Sequence, residues 1–247
     1  MTTLATRSLL YRRPDLYDNL RTDPTHTTAQ LCRELIATHG QGDAKTVLDL
    51  GCGTGSDLAG LAEWFTCVGV DVQPQMVAYA NQTRPHLDIR VGDIRTFRLN
   101  HTVDAVLCLG NALAYLYTDH DIQAAFTTFA AHARPRSLLI LCTQIAPVET
   151  DGPATQRMNA GHLQADVAIR YEWDARTRIN TLHRHWRLDD GTEHHDAIQR
   201  RVLRPRELER HAQVVGYEPL ELFSDPQDRA APLTSTSWLV ARRRDPG

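Results

Sequence analysis

From residue 45 onward the chain alternates between two kinds of apolar pattern. Short runs that are apolar at nearly every position, at 47–50, 67–72, 87–91, 103–109 and 137–142, read as strands buried on both faces. Between them the spacing turns helical, and helices are expected over 56–65, 74–81 and 119–133. In the last of these, Ile122, Phe126, Phe129, Ala130 and Ala133 form one apolar stripe. Strand and helix in steady alternation predict crossover units: an α/β fold with a doubly wound parallel sheet and helices on both faces.

The pattern changes on either side of this region. Ahead of it, Leu9, Leu10 and Tyr11, then residues 14–20, read as one or two short helices bearing aromatic side chains. A helix opened by Thr27 or Thr28 follows, with Leu31, Leu35 and Ile36 on one face and Gly40 at its end. Beyond Thr143, residues 165–173 alternate, with Val167, Ile169, Tyr171 and Trp173 sharing a face. A second run covers 178–188, and Asp189-Asp190-Gly191-Thr192 turns it into a third at 194–203. Such runs predict an antiparallel insertion. Pro205 then opens a helix that Gly216 closes, and strands at 220–223 and 236–241 complete the sheet. The expected organisation is a helical lid at 1–44, an α/β core at 45–144, a β insertion at 145–204, and the returning end of the core at 205–247.

The candidate chemistry collects where the strands end. Val47-Leu48-Asp49-Leu50 runs into Gly51-Cys52-Gly53-Thr54-Gly55, and a helical pattern follows at once. A strand, a glycine loop and a helix predict a nucleotide-like ligand at the carboxyl edge of a parallel sheet, where the backbone approaches it closely. The spacing is G-x-G-x-G and not the G-x-G-x-x-G of dinucleotide sites. The second strand ends in Asp71, placed to accept from both ribose hydroxyls. The third runs into Gly92-Asp93-Ile94, an acid placed to accept from an exocyclic amine. The fourth delivers Gly110-Asn111 to the same edge.

Composition narrows the classes. A chain of 247 residues with 42% hydrophobic and 23% charged residues is an ordinary globular protein with room for an appendage. A net charge of −3 provides no basic field for nucleic acid or an anionic membrane. No apolar run has the length of a membrane span, and Met1 to Arg7 lack the apolar core of a signal peptide. Five cysteines without a CxxC imply no disulfide framework and fit a reducing cytoplasm.

The ordered series of glycine loop, Asp71, Asp93 and Asn111 resembles the class I S-adenosylmethionine-dependent methyltransferases, and the likeness covers most of the chain. It implies a Rossmann-like seven-stranded sheet whose last strand is antiparallel, with S-adenosyl-L-methionine as cofactor. By that resemblance Gly51, Gly53 and Gly55 pass the methionyl part, Asp71 holds the ribose, and Asp93 with the Ile94 backbone meets the adenine; Val72, Met76 and Leu109 are assigned to the cofactor site as well. The string 108–116 is similar to that of glycine/sarcosine N-methyltransferases and of N,N-dimethyltransferases of antibiotic amino sugars. Both groups add a β insertion before the last helix.

What the resemblance implies is methyl transfer to an amine nitrogen of a small molecule in natural-product biosynthesis. The acceptor residues would be Tyr11 and Tyr17 from the lid and Asn111 and Tyr115 from the loop after the fourth strand. Alternatives stay open: the tyrosines glue the lid to the core, and Asn111 caps the following turn. O-methylation, a sulfonium-driven cyclisation on the same fold, and cofactor binding without catalysis are competing functions. No His–Asp or His–Glu base pair of the O-methylating kind is evident by motif. Arg21 and Arg33 are both possible partners for the cofactor carboxylate. His183 and His185 share a strand face, with Asp196 expected beside His185, but the ligand set is incomplete and no metal is expected. The apolar face of the insertion calls for a covering surface, either the acceptor pocket or a second copy in a homo-oligomer.

Overall fold

The sheet is built outward from Thr46–Leu50 (β1), in which Val47, Leu48, Asp49 and Leu50 are all buried. A computed structural model describes residues 8–21, 25–150, 152–161 and 163–245, so the signal-peptide reading of residues 1–7 lies outside them. Thr66–Asp71 (β2) and Asp88–Val91 (β3) extend the sheet on one side of β1. Val103–Cys108 (β4) and Ala133–Gln144 (β5) extend it on the other, all in parallel. Four further strands, β6 to β9, leave the sheet. Tyr217–Phe223 (β10) and Thr236–Arg243 (β11) return to it, with β11 antiparallel to both β5 and β10. The order β10-β11-β5-β4-β1-β2-β3 makes seven strands, as expected, and reverses direction between β1 and β4. At that switch point the carboxyl ends of the strands diverge and leave a crevice.

Residues alternate between two helical layers, which is why the strands read as continuous apolar runs. Val47 packs with Thr27–His39 (α3), Ser56–Leu61 (α4) and Pro74–Thr83 (α5), whereas Leu48 and Leu50 pack with Asp119–His132 (α6) and Pro205–Val214 (α7). The stripe foreseen in α6 is buried at Ile122, Phe126 and Phe129. The hydroxyl of Thr118 caps that helix by accepting from the Asp121 N–H at 3.0 Å. Helix α4 stops at Leu61, short of the expected residue 65. The Trp64 and Phe65 N–H groups fold back on the Leu61 carbonyl at 3.0 and 3.1 Å, and Thr66 can then pair with Lys45 at 2.7 Å to start β2.

The insertion is a separate antiparallel meander: Ala154–Ala160 (β6), Leu163–Asp174 (β7), Ile179–Leu188 (β8) and Glu193–Arg201 (β9). Strand β6 was not foreseen, because its mostly polar residues carry no alternation and it is held by pairing with β7 alone. One face of this sheet carries Val167, Ile169 and Tyr171, with Trp186 and Arg184 opposite them on β8. Leu9–Arg12 (α1) lies on that face, where Leu9 and Leu10 pack with Ala165, Val167, Trp186 and Leu188. The apolar row is therefore covered from within the chain at Val167, 0% exposed, and Ile169, and opens to solvent at Trp173, 36% exposed. An ion pair beneath α1 fixes the docking. Arg184 grips Asp196 through Nε at 2.8 Å and a terminal nitrogen at 3.0 Å, Asp196 accepts the Leu9 N–H at 2.7 Å, and Arg184 donates to the Ser8 hydroxyl at 2.8 Å. The register thus places Asp196 opposite Arg184, not beside His185 as expected; His185 faces His195.

Candidate functional site

The glycine loop takes the shape that its residues require. Gly51 has φ of 98°, and a Cβ there would stand 2.4 Å from the Cβ of Ala112 in the turn after β4. Gly53 has φ of 57°, and the space a Cβ would enter lies 3.4 Å from the Tyr17 ring. Tyr17 belongs to Pro14–Arg21 (α2), so the lid rests directly on the loop. Beside it Asp18 accepts from the Thr54 hydroxyl at 2.6 Å and pairs with Arg84 at 3.0 Å, tying lid, loop and the end of α5 together. Gly55 begins α4 in the left-handed region.

The two acids at the sheet edge are held in different ways. Asp71 accepts the Gly53 N–H and the Gln73 N–H, one on each oxygen, both at 2.8 Å. Burial raises its pKa and those two donors oppose the rise. Each oxygen keeps a further acceptor direction, and the neighbouring Val72 is 56% exposed while Met76 is buried. Asp93 is gripped by Arg95 through Nε at 3.0 Å and a terminal nitrogen at 2.5 Å, and accepts the Arg95 N–H at 2.9 Å. That guanidinium holds its carboxyl below the usual range. The Ile94 side chain belongs to the core, leaving its backbone toward the edge.

After β4 the chain turns through Gly110 and Asn111, both left-handed, into a single 3-10 turn, Ala112–Tyr115. Asn111 makes no side-chain capping bond; its Oδ1 is buried without a partner. Leu109 packs its side chain into the core, and its N–H is donated to Asp49. The Tyr115 hydroxyl is hydrogen-bonded to that of Tyr11, with ring centroids 6.0 Å apart edge to face. Tyr11 in turn lies 5.7 Å from Tyr17. Burial pushes the Tyr17 hydroxyl up to about 12 and Tyr11 well above its ordinary value, so neither is a base at neutral pH. The structure thus brings Tyr11, Tyr17 and Tyr115 into one cluster over the glycine loop.

The two arginines separate cleanly. A terminal nitrogen of Arg21 reaches to 3.4 Å from the space a Cβ would take on Gly110, at the site. Arg33 instead lies over the Trp64 ring at 4.3 Å. Asp49 is the residue that motif reading left without a role. Burial, then the nearby charges of Asp57 and Asp71, push its carboxyl up to about 8 against the Leu109 N–H, and its Oδ1 has no partner. Its signal was present: one carboxylate inside an otherwise apolar strand. Arg200 on β9 was likewise missed. Its charge is felt by Tyr115, Tyr11 and Tyr171, so it stands over the same cluster.

Among the described residues one group of three possible metal ligands exists, His185, Glu193 and His195. One ligand atom of each lies within 4.8 Å of the others, and the two imidazoles stack 4.1 Å apart at 12°. They occupy the sheet face opposite the tyrosines. The histidine–acid pairs His39–Glu221, His183–Glu172 and His185–Glu193 all lie outside the tyrosine cluster.

Residues 47–136 match the model of a methyltransferase domain. The chain is similar to a dTDP-3-amino-3,6-dideoxy-alpha-D-glucopyranose N,N-dimethyltransferase of Streptomyces fradiae, 27% identical over 74% of this chain and 72% of that one. With a dTDP-3-amino-3,4,6-trideoxy-alpha-D-glucopyranose N,N-dimethyltransferase of Streptomyces venezuelae it shares 30% identity over 40% of this chain, spanning 42% of that enzyme. Its fold superposes on an S-adenosylmethionine-bound amino pentose methyltransferase of calicheamicin biosynthesis from Micromonospora echinaspora with a TM-score of 0.79, at 26% identity and covering 92% and 94% of the two chains.

Proposed function

We propose that the chain is a class I S-adenosylmethionine-dependent methyltransferase and that it methylates an amine nitrogen of a small molecule, an amino sugar of a natural-product pathway, a reading supported by the methyltransferase-domain match and by its amino-sugar N-methyltransferase relatives. S-adenosyl-L-methionine is the cofactor, and the residues at the sheet edge suit it. Asp71 has acceptor directions to spare for two hydroxyls, Arg21 has no ion pair among the described residues, and the partnerless Asp49 Oδ1 suits an ammonium group. Gly51, Gly53 and Gly55 would leave room for the methionyl part, and Asp93 with the Ile94 backbone would meet the adenine. When bound, the cofactor supplies a methyl group on a sulfonium, ready for in-line displacement.

The observation that carries the amine reading is Asn111 Oδ1, buried without a partner near the tyrosine cluster, where no histidine–acid pair stands among the described residues. An amide oxygen accepts an N–H of an incoming amine and so orients its lone pair. A hydroxyl acceptor would need a proton removed, and the raised phenols of Tyr11 and Tyr17 do not do that. Burial under the lid also disfavours the ammonium form of the acceptor. Tyr17 and Tyr115 would exclude water and face the sulfonium charge with aromatic rings. Assay of the pure protein with methyl-labelled cofactor, against matched amine and phenol panels, tests this. Labelled N-methyl product with stoichiometric S-adenosylhomocysteine supports it; O-methyl product alone, or cofactor consumed without methyl transfer, overturns it.

No helix of the described residues is long and apolar enough to cross a membrane. Five free cysteines, none paired, support a reducing compartment such as the cytoplasm. A homo-oligomer would have to form around the exposed end of the apolar row at Trp173, since the rest is covered by α1. The net charge supports no nucleic-acid partner.

A further inference from the structure

We propose that His185, His195 and Glu193 bind a first-row divalent metal ion such as zinc, on the outer face of the insertion and apart from the methyl-transfer site.

The strand register builds this site. His185 on β8 stands directly opposite His195 on β9, and Glu193 lies two residues before His195, so all three side chains leave the same face. One ligand atom from each lies within 4.8 Å of the others, the one such trio among the described residues. The Nε2 of His185 is already 3.2 Å from Glu193 Oε2, while Oε1 accepts from the Arg187 Nε at 3.2 Å. The Arg187 side chain is 67% exposed, so water screens its charge. Sequence alone joined His185 to His183 and Asp196. The fold sends Asp196 to the opposite face and pairs His183 with Glu172 at 3.1 Å; His195 and Glu193 take their places.

Two imidazole nitrogens and one carboxylate oxygen suit Zn²⁺, Cu²⁺ or Ni²⁺, and not Mg²⁺ or Ca²⁺, which take oxygen ligands. With bonds of about 2.0–2.1 Å, the ligand atoms of a tetrahedral site stand about 3.3–3.5 Å apart. Each atom of the trio therefore moves by roughly an ångström at most to close on an ion. The stacked rings, 4.1 Å apart at 12°, have to splay toward it. His195 and Glu193 are exposed and His185 is half-buried, so that rotation meets little packing. The backbone needs no such adjustment. Arg184 and Asp196, the next pair along, clamp β8 to β9 from the inner face. The turn between the strands closes with the Leu188 N–H on the Thr192 carbonyl at 2.9 Å and Gly191 in the left-handed region. Ligands carried on a fixed strand pair bind without the ordering cost of a loop. The fourth position faces solvent and is left to water. The ion thus bridges two strands and braces, from outside, the pair whose inner face anchors the lid.

The test uses tag-free protein stripped of metal with a chelator and then freed of the chelator. Each variant is first checked for S-adenosylhomocysteine binding and for its melting temperature without metal. Calorimetric titration of zinc chloride into wild type is expected to show one ion per chain, with a rise in melting temperature that neither Mg²⁺ nor Ca²⁺ produces. His185→Gln and His195→Gln should each weaken binding by roughly tenfold or more, and Glu193→Gln by less. His183→Gln, on the same face but outside the trio, should leave binding unchanged. The copper(II) complex should show two coupled nitrogens by electron paramagnetic resonance, and one in His195→Gln. Absence of saturable zinc binding by wild type overturns the proposal. So does a one-to-one site that survives in the double variant His185→Gln/His195→Gln, which would place the ion on cysteines or on other histidines. An equal loss in His183→Gln overturns it as well.

Discussion

The floor and the roof of the proposed site differ in how their polar groups are satisfied. On the floor, Asp71 holds two backbone N–H groups, Asp93 holds Arg95, and Thr54 holds Asp18. On the roof, Asn111 Oδ1 and Arg200 Nε are buried without partners. The distance along the chain differs too. Asp71 and Gly53 are 18 residues apart, whereas Tyr11 meets Tyr115 across 104 and Leu9 meets Asp196 across 187. A floor assembled from one strand–loop–helix region is set in advance for a ligand of fixed structure. A roof assembled from three distant segments has its unmet hydrogen-bonding groups aimed at the variable partner. Asp49 is the one floor group that departs from this, with its own partnerless oxygen.

The largest effect should come from cutting the roof loose. Asp196→Ala leaves the buried Arg184 guanidinium with the Ser8 hydroxyl but no carboxylate, and takes the acceptor from the Leu9 N–H, a loss of about 3–5 kcal/mol for a broken buried pair. Denaturant unfolding should show it; a variant as stable as wild type would mean that the lid does not depend on this pair. On the floor, Asp71→Ala removes a charged acceptor worth roughly 1.5–3 kcal/mol, so S-adenosylhomocysteine should bind more than tenfold more weakly by calorimetry. Undiminished binding would strike out the ribose assignment. Asn111→Ala separates roof from floor: we expect kcat/KM for the amine to fall roughly tenfold with cofactor affinity little changed. A parallel loss of both would move Asn111 to the floor.

The smallest effect concerns Asp49. Its carboxyl is pushed up to about 8 in the folded protein, against roughly 4 in the unfolded chain. The stability it contributes is thus present below about 4 and lost as the pH rises through about 8. An ammonium group against Oδ1 favours the carboxylate and draws that value down. Binding of S-adenosylhomocysteine should then release a fraction of a proton near pH 7, read from calorimetry in buffers of different ionisation enthalpy. Asp49→Asn should abolish the release, and an absence of buffer dependence in wild type would remove Asp49 from the site.

The floor was legible because its signals are local. Apolar runs marked β1, β2, β4 and β5, and the acids and glycines stood at their ends. The roof was less so, for physical reasons. Strand β6 is mostly polar, and a strand held by one neighbour needs no alternation. The register of β8 on β9 was read one residue off, which in a period of two sends every side chain to the wrong face. His185 and Asp196 were joined on paper, while the fold joins Arg184 to Asp196 and gives the inner face its charges. Arg200 carries no local mark at all, since its place beside Tyr115 follows from the register of β9 in the folded chain.

The lid is anchored at both ends to different bodies: Leu9 to the insertion through Asp196, and Asp18 to the glycine loop through Thr54. The same strap thus spans both compartments, with Tyr17 over Gly53 and Tyr11 against Tyr115. Traffic through the enzyme follows from that. A ligand lying on the floor is enclosed once the strap is down, so it must enter first and leave last. Exchange at the roof needs only the Tyr11–Tyr115 contact to part. The arrangement implies an ordered sequence of arrivals and departures, and a second methylation of the same nitrogen would require its carrier to let go before the spent cofactor can be replaced.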